Sequence, residues 1–449
     1  MSDSIVIHLR EWQRRSPGQS PGDPLEGLRL ANAADRALAA RLTSEGVLVV
    51  RELARGLEIE TTSYVGKLRL GALTVTIAPK LGREPFARLF RHAYRLRELR
   101  TMPTAPFSAG GSLFEDLLPS QLLAEAGELL ARGLDRRYVA VEESLSSPRG
   151  RIDMSRIARE GGVLRGSLPC RHHLRLADCL LNQVLLGGLH LAAGMALDRA
   201  LKIELRRLAD ALAVSVRKRP LHRQLVTQAE QGLDRMAAAY APALTLIGLL
   251  LDGEAPALED SDEPFVLPGF LLDMNRFFQR LLERFLEDNL EGCGVMKEQA
   301  LKDLMRYAPG ENPRRRRAPR PRPDFAVRTP DGKSLLLDAK YRDLWERELP
   351  RDMLYQLAMY ALSQPRGGVA TILYPTAANE ARPARIELGD PLDGWGRASI
   401  VLQPVHLEEL DRVIAGGRET ARERGEMARR MVFGRAEQQH EREMQLPLP

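Results

Sequence analysis

Two short apolar segments joined by an Asp-Gly turn constrain the fold of this chain more than any other feature. They lie within residues 323–340, PDFAVRTPDGKSLLLDAK. Asp-Gly between apolar segments is a strong signal for a β-hairpin with a tight turn. A turn centred on Asp331 places Asp324 directly opposite Asp338. Because side chains alternate along a strand, Asp338 and Lys340 share one face, and the pattern predicts two carboxylates and one ammonium group at one patch of a sheet.

The predicted cluster has the groups that a hard divalent cation prefers. Two carboxylates a few ångströms apart repel each other unless a cation lies between them. Magnesium suits oxygen ligands, and the backbone carbonyl of Ala339 and water molecules would complete its shell. Lys340 would orient a water or stabilise the charge that develops on a phosphate. Asp-x-Lys alone is common on protein surfaces, however, and a register slip of one residue would separate the two aspartates.

Three neighbouring features favour a functional site over an ordinary surface hairpin. Asp338 follows an apolar run at the end of a strand that should be buried, where an uncompensated carboxylate is costly. The next helical pattern carries Gln356 and Tyr360 four residues apart and hence on one face. The apolar strand VATILYP follows at 369–375. Together with the long helix predicted over 274–290, the order is helix–β–β–α–β.

The rest of the chain predicts an α/β protein of several domains. At 449 residues the chain is too long for a single core. Residues 1–110 contain alternating, strand-like segments and predict a β-rich N-terminal domain. Residues 111–265 have mostly helical periodicity, and the acidic stretch DGEAPALEDSDEPF (252–265) is a candidate linker. Residues 266–449 hold the predicted hairpin and end in a charged tail.

Composition limits the setting and the partners. The chain has 66 Lys and Arg residues against 60 acidic ones, a net charge of +6 that permits nucleic-acid binding without requiring it. The three cysteines, Cys170, Cys179 and Cys293, form no CxxC pair, so neither a disulfide framework nor a thiolate zinc site is expected. The N-terminus has no signal-peptide pattern, and no apolar stretch is long enough to span a bilayer. These features predict a cytoplasmic protein without a membrane partner.

A basic run precedes the predicted hairpin. Residues 314–322, RRRRAPRPR, hold six arginines in nine positions, directly before Pro323 and Asp324. One interpretation is a flexible basic loop; the other is a loop that grips DNA phosphates beside the metal site. Arginine forks suit phosphates, and the position beside the hairpin favours the second interpretation. The predicted DNA-binding residues are Arg314, Arg315, Arg316, Arg317, Arg320 and Arg322.

Several segments resemble known families. Pro-Asp, Asp-Ala-Lys and Gln-x-x-x-Tyr, in this order, resemble the PD-(D/E)xK nuclease superfamily, in its branch with a QxxxY helix. Further segments between roughly residues 60 and 375 are similar to the McrC family, the nuclease subunits of McrBC-type modification-dependent restriction systems. These segments are YVGKLRLGALTVTIAPK, RGLDRRYVAVEESLSSPRGRI, LPCRHHLRLADCLLNQVLL, LLDMNRFF and ILYP.

The resemblance implies a fold and an activity for the C-terminal region. Residues 266–449 would form a PD-(D/E)xK restriction-endonuclease-like α/β domain that cleaves DNA with Mg²⁺, for which Mn²⁺ can substitute. Asp324 and Asp338 would be metal ligands and Lys340 the catalytic lysine. Gln356 and Tyr360 would support the site and contact DNA.

The resemblance also implies a partner. The chain has no nucleotide-binding loop, so translocation of DNA would need an NTPase on another subunit. That partner would be an AAA+ GTPase hexamer of McrB type, which would recognise DNA carrying modified cytosine. The β-rich N-terminal domain would enter the ring and stimulate GTP hydrolysis.

One position departs from the family pattern. Gln279 stands where family members commonly have a glutamate in the helix that begins with Met-Asn, and Glu283, one turn further along, is a candidate substitute. Two other functions therefore stay open. A non-catalytic adaptor that activates the NTPase is favoured by Gln279 but not by the intact carboxylate and lysine set. A RecB-like repair nuclease would share the C-terminal pattern but not the N-terminal segments.

Overall fold

The computed structural model describes residues 5–97, 113–159, 166–254, 269–297, 300–301, 304–365, 367–390 and 394–434. Within these ranges it contains sixteen strands and twelve α-helices, which confirms the predicted mixed α/β class. The strands are β1 (Ile5–Arg10), β2 (Arg14–Arg15), β3 (Leu48–Leu53), β4 (Gly56–Thr61), β5 (Tyr64–Leu70), β6 (Leu73–Ala78), β7 (Arg137–Leu145), β8 (Arg151–Ile152), β9 (Leu168–Leu176), β10 (Gly269–Asp273), β11 (Gly294–Lys297), β12 (Phe325–Arg328), β13 (Ser334–Ala339), β14 (Gly368–Thr376), β15 (Ala384–Asp390) and β16 (Gly394–His406). The helices are α1 (Ala33–Ser44), α2 (Arg83–Tyr94), α3 (Leu113–Arg132), α4 (Met154–Arg159), α5 (Leu180–Met195), α6 (Arg199–Ala213), α7 (Arg223–Gln231), α8 (Ala241–Glu254), α9 (Met274–Asn289), α10 (Arg351–Leu362), α11 (Leu407–Ala415) and α12 (Ala421–Phe433).

The chain forms two compact units. The first contains residues 1–96 together with 271–449, and the second contains residues 97–270. This division differs from the three segments predicted from the sequence, because the N-terminal β-rich residues share a unit with the C-terminal residues. Contacts between segments far apart in the chain cause the difference, and local periodicity carries no information about them.

A six-stranded mixed sheet forms the C-terminal part of the first unit. Its strand order is β11-β12-β13-β14-β16-β15. The central strands β13, β14 and β16 are parallel, and the flanking pairs are antiparallel. Helix α10 packs on the sheet and buries Leu357, Tyr360 and Ala361 against Leu336 and Ile372. Buried parallel strands of this kind are expected as continuous apolar runs, which is how β14 reads in the sequence.

Two smaller sheets form the N-terminal part of the same unit. One has the order β1-β6-β5-β10, with β1 parallel to β6, and the other has the order β2-β4-β3. Helix α2 packs on α9, where the ring of Phe277 lies 5.1 Å from that of Phe86 and 5.9 Å from that of Phe90. Strand β10 and helix α9 follow each other in the chain, so the N-terminal sheet leads directly to the helix before the predicted hairpin.

The second unit is mainly helical in its described residues. Helices α3, α5, α6, α7 and α8 pack on one another, and a three-stranded sheet has the order β7-β9-β8. Of the predicted acidic linker, residues 252–254 end helix α8, and residues 255–265 lie outside the described residues.

The charged C-terminal tail forms two helices, α11 and α12, in its described part. The remaining residues, 435–449, lie outside the described residues. No helix in the described part of the chain is long and apolar enough to cross a membrane.

Candidate metal centre

The β12–β13 hairpin has the register that the Asp-Gly turn predicts. Phe325 pairs with Leu337, which places Asp324, the residue before β12, beside Asp338. Gly332 has a φ of +84°, a conformation that L side chains rarely adopt, and this explains the glycine in the turn. The pairing of the two aspartates is therefore confirmed.

The two carboxylates and the lysine lie together at the end of β13. The backbone N–H of Ala339 donates a hydrogen bond of 2.8 Å to Oδ2 of Asp324. Nζ of Lys340 lies 3.2 Å from Oδ2 of Asp338 and 3.9 Å from Oδ2 of Asp324. One ammonium group thus faces both carboxylates, and a single positive charge is shared between two acids.

Asp338 is the most deeply buried member of this group. It sits on a strand with neighbours on both sides, and its backbone pairs with Ile372 of β14. Its side chain is 2% exposed, and Oδ1 is buried without a hydrogen-bond partner among the described residues. A buried carboxylate oxygen without a partner is destabilising. This oxygen is therefore suited to accept a ligand that carries positive charge.

The two carboxylates have only one positively charged group beside them, the ammonium of Lys340. Burial, together with the charge of Asp338, raises the pKa of Asp324 to about 7. Burial also raises the pKa of Asp338, although the nearby ammonium of Lys340 opposes the shift. For Lys340, burial alone would lower the pKa, but the charges of Asp338 and Asp324 outweigh burial and raise it. The lysine is charged at neutral pH, and the two acids retain a proton, which a bound cation would displace, more readily than ordinary aspartates.

Gln356 and Tyr360 share one face of α10, as predicted. Nε2 of Gln356 donates a hydrogen bond of 2.7 Å to the hydroxyl of Tyr360. Burial raises the pKa of Tyr360, the hydrogen bond from Gln356 opposes the shift, and the charges of Asp338 and Asp324 raise it further. In the described part of the chain, no hydrogen bond links either side chain directly to the acids or to the lysine.

Glu283 does not replace the missing helix glutamate, so that expectation is wrong. Both of its carboxylate oxygens accept hydrogen bonds of 3.0 Å from Nη1 of Arg280. It also forms an ion pair with Lys297, which pairs with Glu287 as well. Across the described residues, no group of three or more His, Cys, Asp or Glu side chains is placed to hold a metal ion. The candidate centre therefore has two carboxylates.

The six predicted DNA-binding arginines lie in a loop before β12, and all are exposed. Among the described residues, none of the six arginine side chains takes part in an ion pair or a hydrogen bond. The side chain of Asn312 makes two hydrogen bonds to the backbone of Arg316, both of 2.8 Å. Its Oδ1 accepts the N–H of Arg316, and its Nδ2 donates to the carbonyl of the same residue. The guanidinium groups are thus available to an external anion.

Tyr341, the residue after Lys340, is not among the residues predicted from the sequence. Its hydroxyl donates a hydrogen bond of 2.9 Å to Oε1 of Glu11. Its backbone N–H donates to Oδ1 of Asn275 at 3.1 Å. An aromatic residue after a buried strand is usually part of a core, so its type gives no signal. Its partners lie far away in the chain, and only their assembly shows the contacts.

Comparison with known proteins identifies similar chains. A family model described as McrBC 5-methylcytosine restriction system component matches residues 59–375. No curated protein matches the chain. A chain of the refined half-complex from a tetradecameric assembly of Thermococcus gammatolerans McrB AAA+ hexamers with bound McrC is 21% identical, with a TM-score of 0.58 over 94% of this chain and 99% of that chain. A chain of the cryo-EM structure of the Thermococcus gammatolerans McrBC complex is 20% identical, with a TM-score of 0.45, and the match covers 64% of this chain and 88% of that one. The first of these similarities shows the fold over nearly the whole chain.

Proposed function

The chain belongs to the family of McrBC 5-methylcytosine restriction system components, and we propose that it is the nuclease subunit of such a system. It hydrolyses phosphodiester bonds of DNA with Mg²⁺, for which Mn²⁺ can substitute. The observation that carries the proposal is the pair of carboxylates beside Lys340, of which Asp338 is buried and Asp324 partly buried, with Oδ1 of Asp338 lacking a partner among the described residues. The helix–β–β–α–β order around these residues supports the PD-(D/E)xK restriction-endonuclease-like class.

The donor set fits a hard divalent cation. Asp324 and Asp338 would hold the ion through carboxylate oxygens, with the carbonyl of Ala339 and water molecules as further ligands. Bound Mg²⁺ supplies Lewis acidity at a phosphate oxygen and lowers the pKa of water. Carboxylates bind such an ion in their ionised form, so Asp324 must lose its proton before the site is complete.

Lys340 acts by its charge. Without a bound metal, the two neighbouring acids raise the pKa of Lys340, so the side chain is an ammonium group. An ammonium fixed in a half-buried site stabilises the negative charge that develops on a phosphate during hydrolysis. The hydrogen bond from Gln356 to Tyr360 fixes the glutamine amide. Among the described residues no group donates to its carbonyl oxygen, which can therefore accept a hydrogen bond from a water or from DNA.

The arginine loop supplies non-specific affinity for DNA. Its six arginines are exposed, and Arg322 stands only two residues before Asp324. Each phosphate that an arginine neutralises adds about 0.9 to the slope of log affinity against log salt. Replacing Arg314, Arg315, Arg316 and Arg317 by Gln should therefore weaken DNA binding and lower this slope by about 2 to 4. Arg206→Gln, at an exposed arginine on α6, is the control and should change neither; an unchanged slope in the loop variant would contradict DNA binding by the loop.

The partner follows from the family. The similar structure is of McrB AAA+ hexamers with bound McrC. We propose that this chain likewise binds an AAA+ GTPase hexamer of McrB type, which recognises DNA carrying modified cytosine, and that the chain stimulates GTP hydrolysis. That residues 1–110 make this contact stays a prediction.

The experiment combines the chain, its partner GTPase, GTP, Mg²⁺ and DNA containing 5-methylcytosine. We expect the wild-type chain to cleave this DNA and Asp338→Asn to lose cleavage while it still stimulates the GTPase. Loss of a residue that supports a metal ligand costs about 10–100-fold, so loss of the ligand itself should cost more. Asp331→Asn, at an exposed aspartate in the hairpin turn, is the matched control and should cleave normally.

Each other outcome assigns a different function. Normal cleavage by Asp338→Asn would remove the site from the mechanism. A wild-type chain that stimulates the GTPase but never cuts would be the non-catalytic adaptor. Cleavage of unmodified DNA ends without the partner would favour a RecB-like repair nuclease.

A further inference from the structure

Tyr341 is fixed at two separate points directly after the candidate catalytic lysine. Its side chain is 2% exposed, and its hydroxyl donates to Oε1 of Glu11 at 2.9 Å. Its N–H donates to Oδ1 of Asn275 at 3.1 Å. This N–H belongs to the peptide group that links Lys340 to Tyr341. The hydrogen bond to Asn275 therefore fixes the backbone from which the lysine side chain extends.

Both partners of Tyr341 are themselves held by the N-terminal residues. Nδ2 of Asn275 donates to Oγ of Ser63 at 2.7 Å, and the N–H of Met274 donates to the carbonyl of Ser63 at 3.0 Å. Glu11 is buried, and its Oε1 also accepts the N–H of Lys80 at 2.5 Å. Ser63 lies between strands β4 and β5, and Glu11 directly follows β1. The position of Tyr341 therefore depends on the two N-terminal sheets.

The residues after Tyr341 strengthen the same attachment. Nη2 of Arg347 donates to the carbonyl of Trp12 at 2.8 Å. The guanidinium groups of Arg342 and Arg347 lie over the ring of Trp12, at 5.8 Å and 5.3 Å from its centroid. The N–H of Arg342 donates to the carbonyl of Lys340 at 2.8 Å, so the chain turns sharply after the lysine. The segment that follows Lys340 therefore packs against Trp12, next to the end of β1, and is hydrogen-bonded to it.

The acids and the lysine are restrained differently. Asp338 lies within β13, and Asp324 accepts the N–H of Ala339, so the hairpin itself holds both acids. Lys340 lies beyond the last residue of β13, and its N–H to the carbonyl of Leu373, at 3.0 Å, continues the pairing by one residue. Beyond that point, the N-terminal residues replace the sheet as the restraint. A shift of β1 or of Ser63 would therefore move the lysine more than the acids.

We propose that Tyr341 is a positioning residue through which the N-terminal sheets set the place of the Lys340 ammonium relative to the two carboxylates. The inference rests on the proposed nuclease function. It gives the N-terminal residues a direct route to the catalytic centre, so that a partner bound to them can control cleavage without touching the centre. A displacement of about 1 Å in a catalytic group is enough to lower a rate about a hundredfold.

The test compares variants that change only the hydrogen bond between the hydroxyl of Tyr341 and Glu11. Tyr341→Phe keeps the buried ring and removes the hydroxyl, and we expect kcat for DNA cleavage to fall about ten- to a hundredfold with an unchanged KM for DNA. Mn²⁺ affinity measured by calorimetry should stay within about twofold, because the carboxylates stay in place. Glu11→Ala should reproduce the loss, whereas Glu11→Gln should restore most of the rate because its amide oxygen still accepts the tyrosine hydroxyl.

Tyr240→Phe is the matched control. Tyr240 belongs to the second unit, is equally buried, and its hydroxyl donates to Oδ1 of Asn182 at 2.6 Å and accepts the N–H of Asp135 at 2.9 Å. Loss of the Tyr240 hydroxyl should lower the melting temperature to a similar extent as Tyr341→Phe and leave kcat for DNA cleavage unchanged. Equal loss of kcat in both variants would mean that reduced stability is responsible, and would overturn the inference.

Hydrogen exchange gives a second readout that does not depend on cleavage. In Tyr341→Phe, exchange should increase at residues 340–342 and stay unchanged at residues 325–337 of the hairpin. Unchanged exchange at 340–342 would overturn the inference, whether or not the chain cleaves DNA. Wild-type cleavage that Asp338→Asn abolishes and Tyr341→Phe leaves intact would overturn the inference alone, whereas absence of cleavage by the wild-type chain would overturn the proposed function.

Discussion

Glu58 and Asp338 are buried carboxylates of the same compact unit, and their surroundings are opposite. Both residues are 2% exposed. Glu58, on β4, accepts hydrogen bonds from the hydroxyl of Ser16 at 2.7 Å, from Arg14 at 2.8 Å and from Arg51 at 2.9 Å. The hydroxyl of Ser16 and the two guanidinium groups lower the pKa of Glu58 to about 2.

Asp338 has one cation for two acids. Lys340 is shared with Asp324, and Oδ1 of Asp338 has no partner among the described residues. The pKa values of both aspartates are raised, that of Asp324 to about 7. Burial alone therefore does not mark a functional carboxylate. The marker is burial without enough positive charge beside a second acid, because either a proton or a bound cation must then make up that deficit.

The largest expected effect is on the well-paired carboxylate. Glu58→Gln removes a charge that three donors require, so we expect it to lower the free energy of unfolding by about 2–3 kcal/mol. Because Arg14 and Arg51 are partly exposed, the loss should lie nearer the lower figure. Urea denaturation at neutral pH measures it. Protein that stays folded should still cleave DNA, and a stable but inactive Glu58→Gln would break the comparison.

An intermediate effect is expected from metal binding. At ten times its dissociation constant, Mg²⁺ should stabilise the wild-type chain by about 1.4 kcal/mol, since it binds the folded state alone. Asp338→Asn should show no such gain, whereas Glu58→Gln should gain as much as the wild type. Melting curves with and without Mg²⁺ measure the difference. A full gain in Asp338→Asn would place the metal elsewhere.

The smallest effect is a gain in stability that depends on pH. Because the pKa of Asp324 is raised from 3.8 to about 7, the folded state is favoured while Asp324 is protonated. This contribution to stability is fully present below about pH 4 and is lost as the pH rises through about 7. Without metal, Asp324→Asn should therefore match the wild type at pH 4 and exceed it by about 1 kcal/mol at pH 8. The pH dependence of stability has the opposite sign for Glu58. Because its pKa is lowered, its ionised form stabilises the fold above about pH 4.5, and this stabilisation is lost as the pH falls towards about 2. Denaturation curves at the two pH values test this, and a destabilised Asp324→Asn at pH 8 would contradict it.

The chemistry of the centre could be predicted from the sequence because its members are close in the chain. The Asp-Gly turn fixes which residues pair, and strand alternation then puts Asp338 and Lys340 on one face. The i, i+4 spacing places Gln356 and Tyr360 together on α10 for the same local reason. The apolar run of β14 was recognisable as a buried strand. Each of these features is set by residues within a few positions of one another.

The failures of prediction all involve residues distant in the chain. Glu283 was a reasonable substitute ligand by its place on α9, but the lysine that pairs with it comes from β11, a strand that periodicity did not indicate. Strands β15 and β16 also went unrecognised. The predicted boundary between N-terminal and C-terminal domains differs from the observed units, because β10 joins the sheet of β5 and β6.

The sequence by itself determined the hairpin, its register and the two acids and one lysine that converge there, since turn chemistry and strand alternation are local properties. Only the tertiary structure decided how much charge each buried acid receives and which residues hold the lysine. Glu58 and Asp338 differ through arginines, a serine and a lysine that assembly brings to them, and Tyr341 meets Glu11 across most of the chain. Electrostatic and packing interactions act through space, so they follow the fold and not the order of residues.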